Sequence, residues 1–297
     1  SGSLLFDRYI FEKKYPSSTG YAIFGQHYGA NTDRVTASYE DSDPSYGATA
    51  TASYEYIKIF GGPHTSGSTP RNTDPNIYDT STRRGSNLQL DISSSLSGAT
   101  VEFWLKKERF QLSHTVKEVV FDLWNSMPSS SGDYGRLRIE MSGTTKQESP
   151  FRVTLLSGSS FTTPGIDGFF NEKIGQNITT ASVADSNWHH YAVTVKSASA
   201  GVTTKFYVDG ELNNESSLGT AGIDDADFSN LRAYIGALIA SPSGSSTAAG
   251  AGKLSGSVDE LRYWKTQRTS QEIGRFWFTQ VGGGVNTDPT PFTTTEE

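Results

Sequence analysis

Residues Trp188-His189-His190-Tyr191-Ala192-Val193-Thr194-Val195 alternate in character with a two-residue period, and Lys205-Phe206-Tyr207-Val208-Asp209-Gly210 follow after a short gap. Successive side chains of a strand point to opposite faces. His189, Tyr191, Val193 and Val195 therefore share one side, and Trp188, His190, Ala192 and Thr194 share the other. Asp209-Gly210 brings turn chemistry to the end of the second run, because Asp bonds its own backbone and Gly accepts positive φ. The segment reads as two strands joined by a turn, each with two unlike faces.

The same pattern recurs along most of the chain. Strands are expected at 87–92, 99–106, 118–124, 135–141, 151–156, 188–196, 204–208, 231–237 and 257–264, with turn signals between them. Weaker candidates lie at 6–11 and 20–24, and 48–60 alternates well. The composition agrees, with 30 Gly, 14 Tyr, 16 Phe and only 19% charged residues. Many short strands with regular turns imply an all-β fold, a two-sheet antiparallel sandwich. One helix is expected: Thr269-Ser270-Gln271-Glu272 fits a capping box, with Thr269 as N-cap. It would run to about Phe278, before Gly282-Gly283-Gly284.

The 297 residues divide into an N-terminal β-rich arm or linker at 1–50, a sandwich domain at 51–281 and a flexible C-terminal linker at 282–297. The polar stretch 61–87 is long for a loop inside a compact domain, which marks it as functional or as a covering segment. The start at Ser1-Gly2-Ser3 and the end at Thr293-Thr294-Thr295-Glu296-Glu297 read as a piece of a longer polypeptide. Without cysteine there are no disulfides and no thiolate metal sites. The net charge of −7 gives no footprint for nucleic acid. No apolar run of about 18 residues is present to insert in a membrane.

Five pieces together resemble the laminin-G-like, concanavalin A-like jelly roll. They are Ala99 to Leu105, Trp188 to Thr194, Lys205 to Leu212, Tyr234-Ile235-Gly236, and Gly256 to Trp264 followed by Arg268 to Ile273. The resemblance covers about 87–280 and implies two antiparallel sheets face to face, one concave. It implies binding of glycans or proteins, and in some members a structural calcium. Phe60-Gly61-Gly62-Pro63-His64 and Phe276 to Gly284 also resemble virion structural proteins of tailed, especially marine, bacteriophages. That likeness implies a decoration, fibre or tail-associated module, in a virion or secreted, that contacts host glycans or neighbouring subunits and is a homo-oligomer or part of a larger assembly.

Glycosidases of related fold need two carboxylates flanking the scissile bond. Glu102 stands alone on its strand, Asp122 has no acid two residues away, and Asp259 and Glu260 are adjacent and so point to opposite faces. No Gly-x-Ser-x-Gly elbow exists. A non-catalytic module is therefore expected, with a secreted polysaccharide-active enzyme or its carbohydrate-binding domain as the alternative. His189 and His190 cannot chelate one ion from opposite faces, and His189 is expected in the core beside Tyr191. Asp259 is expected on one face with Leu261 and Tyr263, where a carboxylate must be paired, hydrogen-bonded or metal-bound. It is either a calcium ligand or a pin for backbone N–H groups. Asp224, Asp225 and Asp227 form an acidic loop. Trp124 and Asp122 share a strand face with Val120, and Arg136 and Arg138 share one on the next strand. Together Trp124, Asp122, Arg136 and Arg138 make a candidate glycan groove. Either Phe103 or Trp104 must face outward or be covered.

Overall fold

The computed structural model describes residues 22–24, 57–60, 88, 98–110, 117–125, 128, 134–143, 149–157, 169–198, 201–218, 231–240 and 252–278. The arm strand at 6–11, most of 48–60 and 87–92, the 61–87 stretch, the Asp224 loop and the tail after 278 lie outside these residues.

Two six-stranded antiparallel sheets form a sandwich. The first contains, in spatial order, β1 (Ala22–Phe24), β12 (Gly256–Trp264), β3 (Ala99–Lys106), β8 (Trp188–Ala198), β9 (Gly201–Val208) and β10 (Glu211–Leu218). The second runs β2 (Ile57–Phe60), β11 (Arg232–Ile235), β4 (Lys117–Trp124), β5 (Gly135–Ser142), β6 (Phe151–Ser157) and β7 (Phe169–Lys173). Two helices complete the described chain: α1 (Thr180–Val183) and α2 (Ser270–Phe276). The two-sheet antiparallel sandwich expected from the strand pattern, a jelly roll as the family resemblance implies, is the fold observed. Ala22–Phe24 of the arm pairs with Gly256–Val258 as an edge strand of the first sheet.

The core lies between the sheets and follows the alternation. Tyr191, Val193 and Val195 of β8 face Phe103 and Val101 of β3 and Phe206 of β9, and all are buried. Leu137, Ile139 and Met141 of β5 and Phe151, Val153 and Leu155 of β6 fill it from the other side. Phe151 bridges the layers, with ring centroids 4.7 Å from Tyr191 and 5.0 Å from Phe206. Three β-bulges shift the pattern, in β4, β10 and β12. One in β4 between Val119 and Phe121 turns Val120 into the core, away from the face of Asp122 and Trp124.

Part of the outer face of the first sheet is covered by α2. Its capping box forms as the sequence implies: Thr269 Oγ1 accepts from Glu272 N at 3.2 Å, and Glu272 Oε2 accepts from Thr269 N at 2.6 Å. Ile273 then packs onto Ala192 and Tyr207. Beneath the helix Glu102, wholly buried, accepts from Arg268 Nη1 at 2.7 Å and lies 3.7 Å from Arg262 Nη1 and 3.6 Å from His190 Nε2. Burial pushes the Glu102 carboxyl up, but His190 and Arg268 outweigh it and hold it below its ordinary range. The same burial keeps the His190 pKa below its ordinary value. Trp104 is the outward member of the Phe103–Trp104 pair, and it is covered by Trp277 at a ring distance of 5.3 Å.

A buried Lys107 fastens β3 to the starts of β4 and β12. Its Nζ donates to both Glu118 oxygens, at 2.9 and 2.7 Å, and to Ser255 O at 2.7 Å. Glu118 Oε2 also accepts from Ser255 N at 2.7 Å, so the buried carboxylate is charge-compensated and multiply hydrogen-bonded.

Candidate functional site

The four residues expected to form a groove on β4 and β5 do share the outer face of the second sheet. Asp122 pairs in register with Arg138, and Trp124 with Arg136. Their chemistry differs from the expectation. Arg136 binds Asp122 through two parallel bonds, Nε to Oδ1 at 2.8 Å and Nη2 to Oδ2 at 2.6 Å. Ile239 N donates to Asp122 Oδ2 at 2.8 Å, and Arg136 Nη2 also donates to Ala240 O at 2.8 Å. Arg138 Nε donates to Glu140 Oε2 at 2.8 Å. Asp122, Arg136 and Arg138 are at most 1% exposed. The segment after β11 crosses this face and seals it, so Asp122, Arg136, Arg138 and the half-buried Trp124 form a closed ion-pair layer and not an open groove. Burial acts against the Arg136 charge, and the Asp122 carboxylate overrides it and holds the guanidinium pKa above its ordinary value.

Asp259 is also displaced from its expected place. A bulge between Asp259 and Arg262, with Glu260 at φ 49°, inserts one residue into β12. Asp259 therefore pairs with Trp104 on the outer face, while Val258 joins the core and Leu261 and Tyr263 pack against it. Its Oδ1 accepts from Glu260 N at 2.8 Å. Among the described residues no group of three or more His, Cys, Asp or Glu is placed to hold a metal.

The open site lies at the end of the strand pair that dominates the sequence. A groove of about 930 Å³ runs between the start of β8, the β9–β10 hairpin and α2. Trp188 and His189 line one wall and Trp277 and Gly274 the other, with Glu211, Leu212 and Asn213 on the hairpin side. Trp188 and Trp277 are half-buried, and Leu212 is 46% exposed. The hairpin is a two-residue turn with Asp209 at φ 49° and Gly210 at φ 84°, the geometry that Asp-Gly favours between strands.

The groove floor is fixed by Asp209. Its Oδ1 accepts from His190 N at 2.8 Å, and its N–H donates to His190 O at 2.8 Å. Its Oδ2 lies 3.0 Å from His189 Nδ1, and Asp185 Oδ2 lies 3.1 Å from His189 Nε2. His189 is thus a half-exposed rim residue held between two carboxylates, not a core residue; it sits where β8 begins, past the edge of the apolar layer. The Asp209 hydrogen bond, with that of Asp185 and both their charges, overcomes partial burial and raises the His189 pKa to about 9. The raised value makes the protonated ring stabilising: its contribution is complete below about pH 6.5, the unfolded value, and is lost as pH rises through about 9. Urea midpoints should therefore fall between pH 6.5 and 9 in the parent protein and stay flatter in His189→Gln.

Gly210 decides the fit of α2 against this turn. A Cβ there would lie 2.2–2.8 Å from the Trp277 indole, and the residue sits at positive φ. Gly210→Val should drive Trp277 off Trp104 and open the groove. The expected readout is a red-shifted tryptophan emission, with a stability loss of at least about 1–2 kcal/mol from the left-handed backbone alone.

On the hairpin side, Asn213 occupies a bulge in β10 between Leu212 and Asn214. Its side chain accepts from Gln176 N at 2.7 Å and donates to Gln176 O at 3.1 Å, and Asn214 Oδ1 accepts from Gly175 N at 3.1 Å. The wall is thereby tied to the chain that leads into α1. The groove escaped the sequence reading because alternation assigns faces, whereas this site sits at strand ends and borrows a wall from a helix far along the chain. The Asp-Gly turn beside Trp188 was its one visible signal.

The arrangement offers two indole surfaces and an exposed leucine beside carboxylates and amides. Apolar faces flanked by hydrogen-bonding groups suit a sugar ring. The model of the concanavalin A-like lectin/glucanases superfamily matches residues 82–274. Similar solved structures include a native heptameric SAP-like pentraxin from Limulus polyphemus, at 12% identity and TM-score 0.39, covering 60% of this chain and 69% of that one. The CBM40 of the Ruminococcus gnavus IT-sialidase, bound to α2,3-sialyllactose, is 13% identical with TM-score 0.39, covering 63% and 90%. Domains LG4-5 of the mouse laminin α1 chain are 11% identical with TM-score 0.37, covering 62% and 40%. No curated protein matches.

Proposed function

As this chain belongs to the concanavalin A-like lectin/glucanases superfamily, we propose that it is a non-catalytic binding module whose β8–β10–α2 groove takes a glycan. The observation that carries this reading is the open groove with Trp188, Trp277 and Leu212 set beside Asn187, Asn213 and Glu211. The described carboxylates fit binding better than hydrolysis. Asp185 and Asp209 are both engaged with His189, and Asp122, Glu102 and Glu140 are buried, which leaves Glu211 without a second free acid among the described groove residues, where hydrolysis needs two. The wider setting we propose is a virion protein of a tailed bacteriophage, a decoration, fibre or tail-associated part that meets host-surface glycans or neighbouring subunits. The sequence runs Phe60 to His64 and Phe276 to Gly284 support that setting.

A glycan array followed by calorimetry tests the binding. Saturable binding without release of reducing ends is expected, and Trp188→Ala should weaken it at least tenfold, since an aromatic–sugar contact is worth on the order of 1–3 kcal/mol, a range borrowed from stacked bases. Leu212→Ser, at an exposed position, should weaken it without unfolding. Undiminished binding in both variants would sink the assignment of the groove.

A further inference from the structure

We infer that the groove discriminates by charge: it accepts amino-bearing and neutral sugars and rejects acidic ones. This rests on the glycan reading above and goes beyond it. No Lys or Arg lines the groove among the described residues, whereas Asp209 and Glu211 both do. The one cation on the wall, His189, is already held between Asp185 and Asp209, so its charge is matched within the protein. The pair of carboxylates on one imidazole leaves the local balance negative.

Glu211 is the free element. It is exposed at the first position of β10, lines the groove, and has no partner among the described residues. Its two oxygens can accept from adjacent sugar hydroxyls or from an ammonium, and they repel a sugar carboxylate. The buried guanidinium groups that would suit an acidic sugar are elsewhere: Arg136 and Arg138 are sealed on the far sheet, and Arg262 and Arg268 are committed to Glu102, with Arg262 also bound to Glu260. A surface interaction between unit charges several Å apart in a screened setting changes affinity by about tenfold.

Calorimetry with three unmodified trisaccharides tests this: chitotriose with free amines, neutral cellotriose, and trigalacturonate. Chitotriose should bind about tenfold or more tighter than trigalacturonate at low salt, and the gap should narrow in 0.5 M NaCl as screening shortens the reach of the charges. Glu211→Gln should remove most of the gap, because it takes away the charge while keeping an amide oxygen that still accepts from sugar hydroxyls. Trigalacturonate binding as tightly as chitotriose, or a gap that survives in Glu211→Gln, overturns the charge inference and leaves glycan binding standing. Failure of all three sugars to bind the parent protein overturns the glycan reading itself, and the charge inference with it.

Discussion

Asp122→Ala is expected to destabilise the domain by about 3–5 kcal/mol, the range for removing one partner of a buried ion pair. The carboxylate is wholly buried and takes three bonds, two from Arg136 and one from Ile239 N. Its loss strands a guanidinium that cannot shed its proton, together with a backbone amide. The loss is a large fraction of the 5–15 kcal/mol typical of a domain. Asp122→Leu combined with Arg136→Met removes both charges, and it should lose less than either single change if the orphaned charge is the main penalty. Urea unfolding followed by circular dichroism at pH 7 compares the parent with Asp122→Ala, each single change and the double variant. A double variant as weak as Asp122→Ala would show that the backbone bonds of the 239–240 segment, not charge, dominate.

Phe151→Ala should cost a similar amount, about 3–5 kcal/mol, by a different route. The ring belongs to the second sheet but packs on Tyr191 and Phe206 of the first. Truncation opens a cavity at the inter-sheet layer, where Tyr191 and Phe206 are themselves stacked at 5.9 Å and 11° and have little room to collapse. Phe151→Leu keeps most of the volume and should lose far less. Equal losses in the two variants would mean that ring geometry, not filled volume, holds the layer.

The central strands were legible because each has one apolar and one polar face. β3, β4, β5, β6, β8, β9, β11 and β12 all appear where alternation puts them, within a residue or a few at their ends. β7 and β10 were not. Both lie at sheet edges, and Glu211–Leu218 is polar on both sides because an edge strand need not bury either face fully. The bulges at Val120 and Glu260 were invisible for a related reason: one inserted residue reverses every later face assignment, and nothing in Asp259-Glu260-Leu261 announces it. The face shared by Asp122, Arg136 and Arg138 was readable from strand spacing. Its closure was not, since Ile239 and Ala240 reach it through tertiary packing. His189 was misplaced because periodicity says which way a side chain points but not how far along the strand the core extends.

The wall contributed by α2 has a consequence for what ligand binding can report. The helix is seven residues long and rests on the first sheet through Ile273, Trp277 and the Arg268 bond to Glu102. A short surface helix opens at lower free energy than the sheets beneath it. Recognition should accordingly vanish in a sub-global opening, at a denaturant concentration where amide exchange in β3 and β8 is still slow. Occupancy of the groove would then be a sensor of the last docking event in the fold, reading the attachment of a single helix while the sandwich itself stays intact.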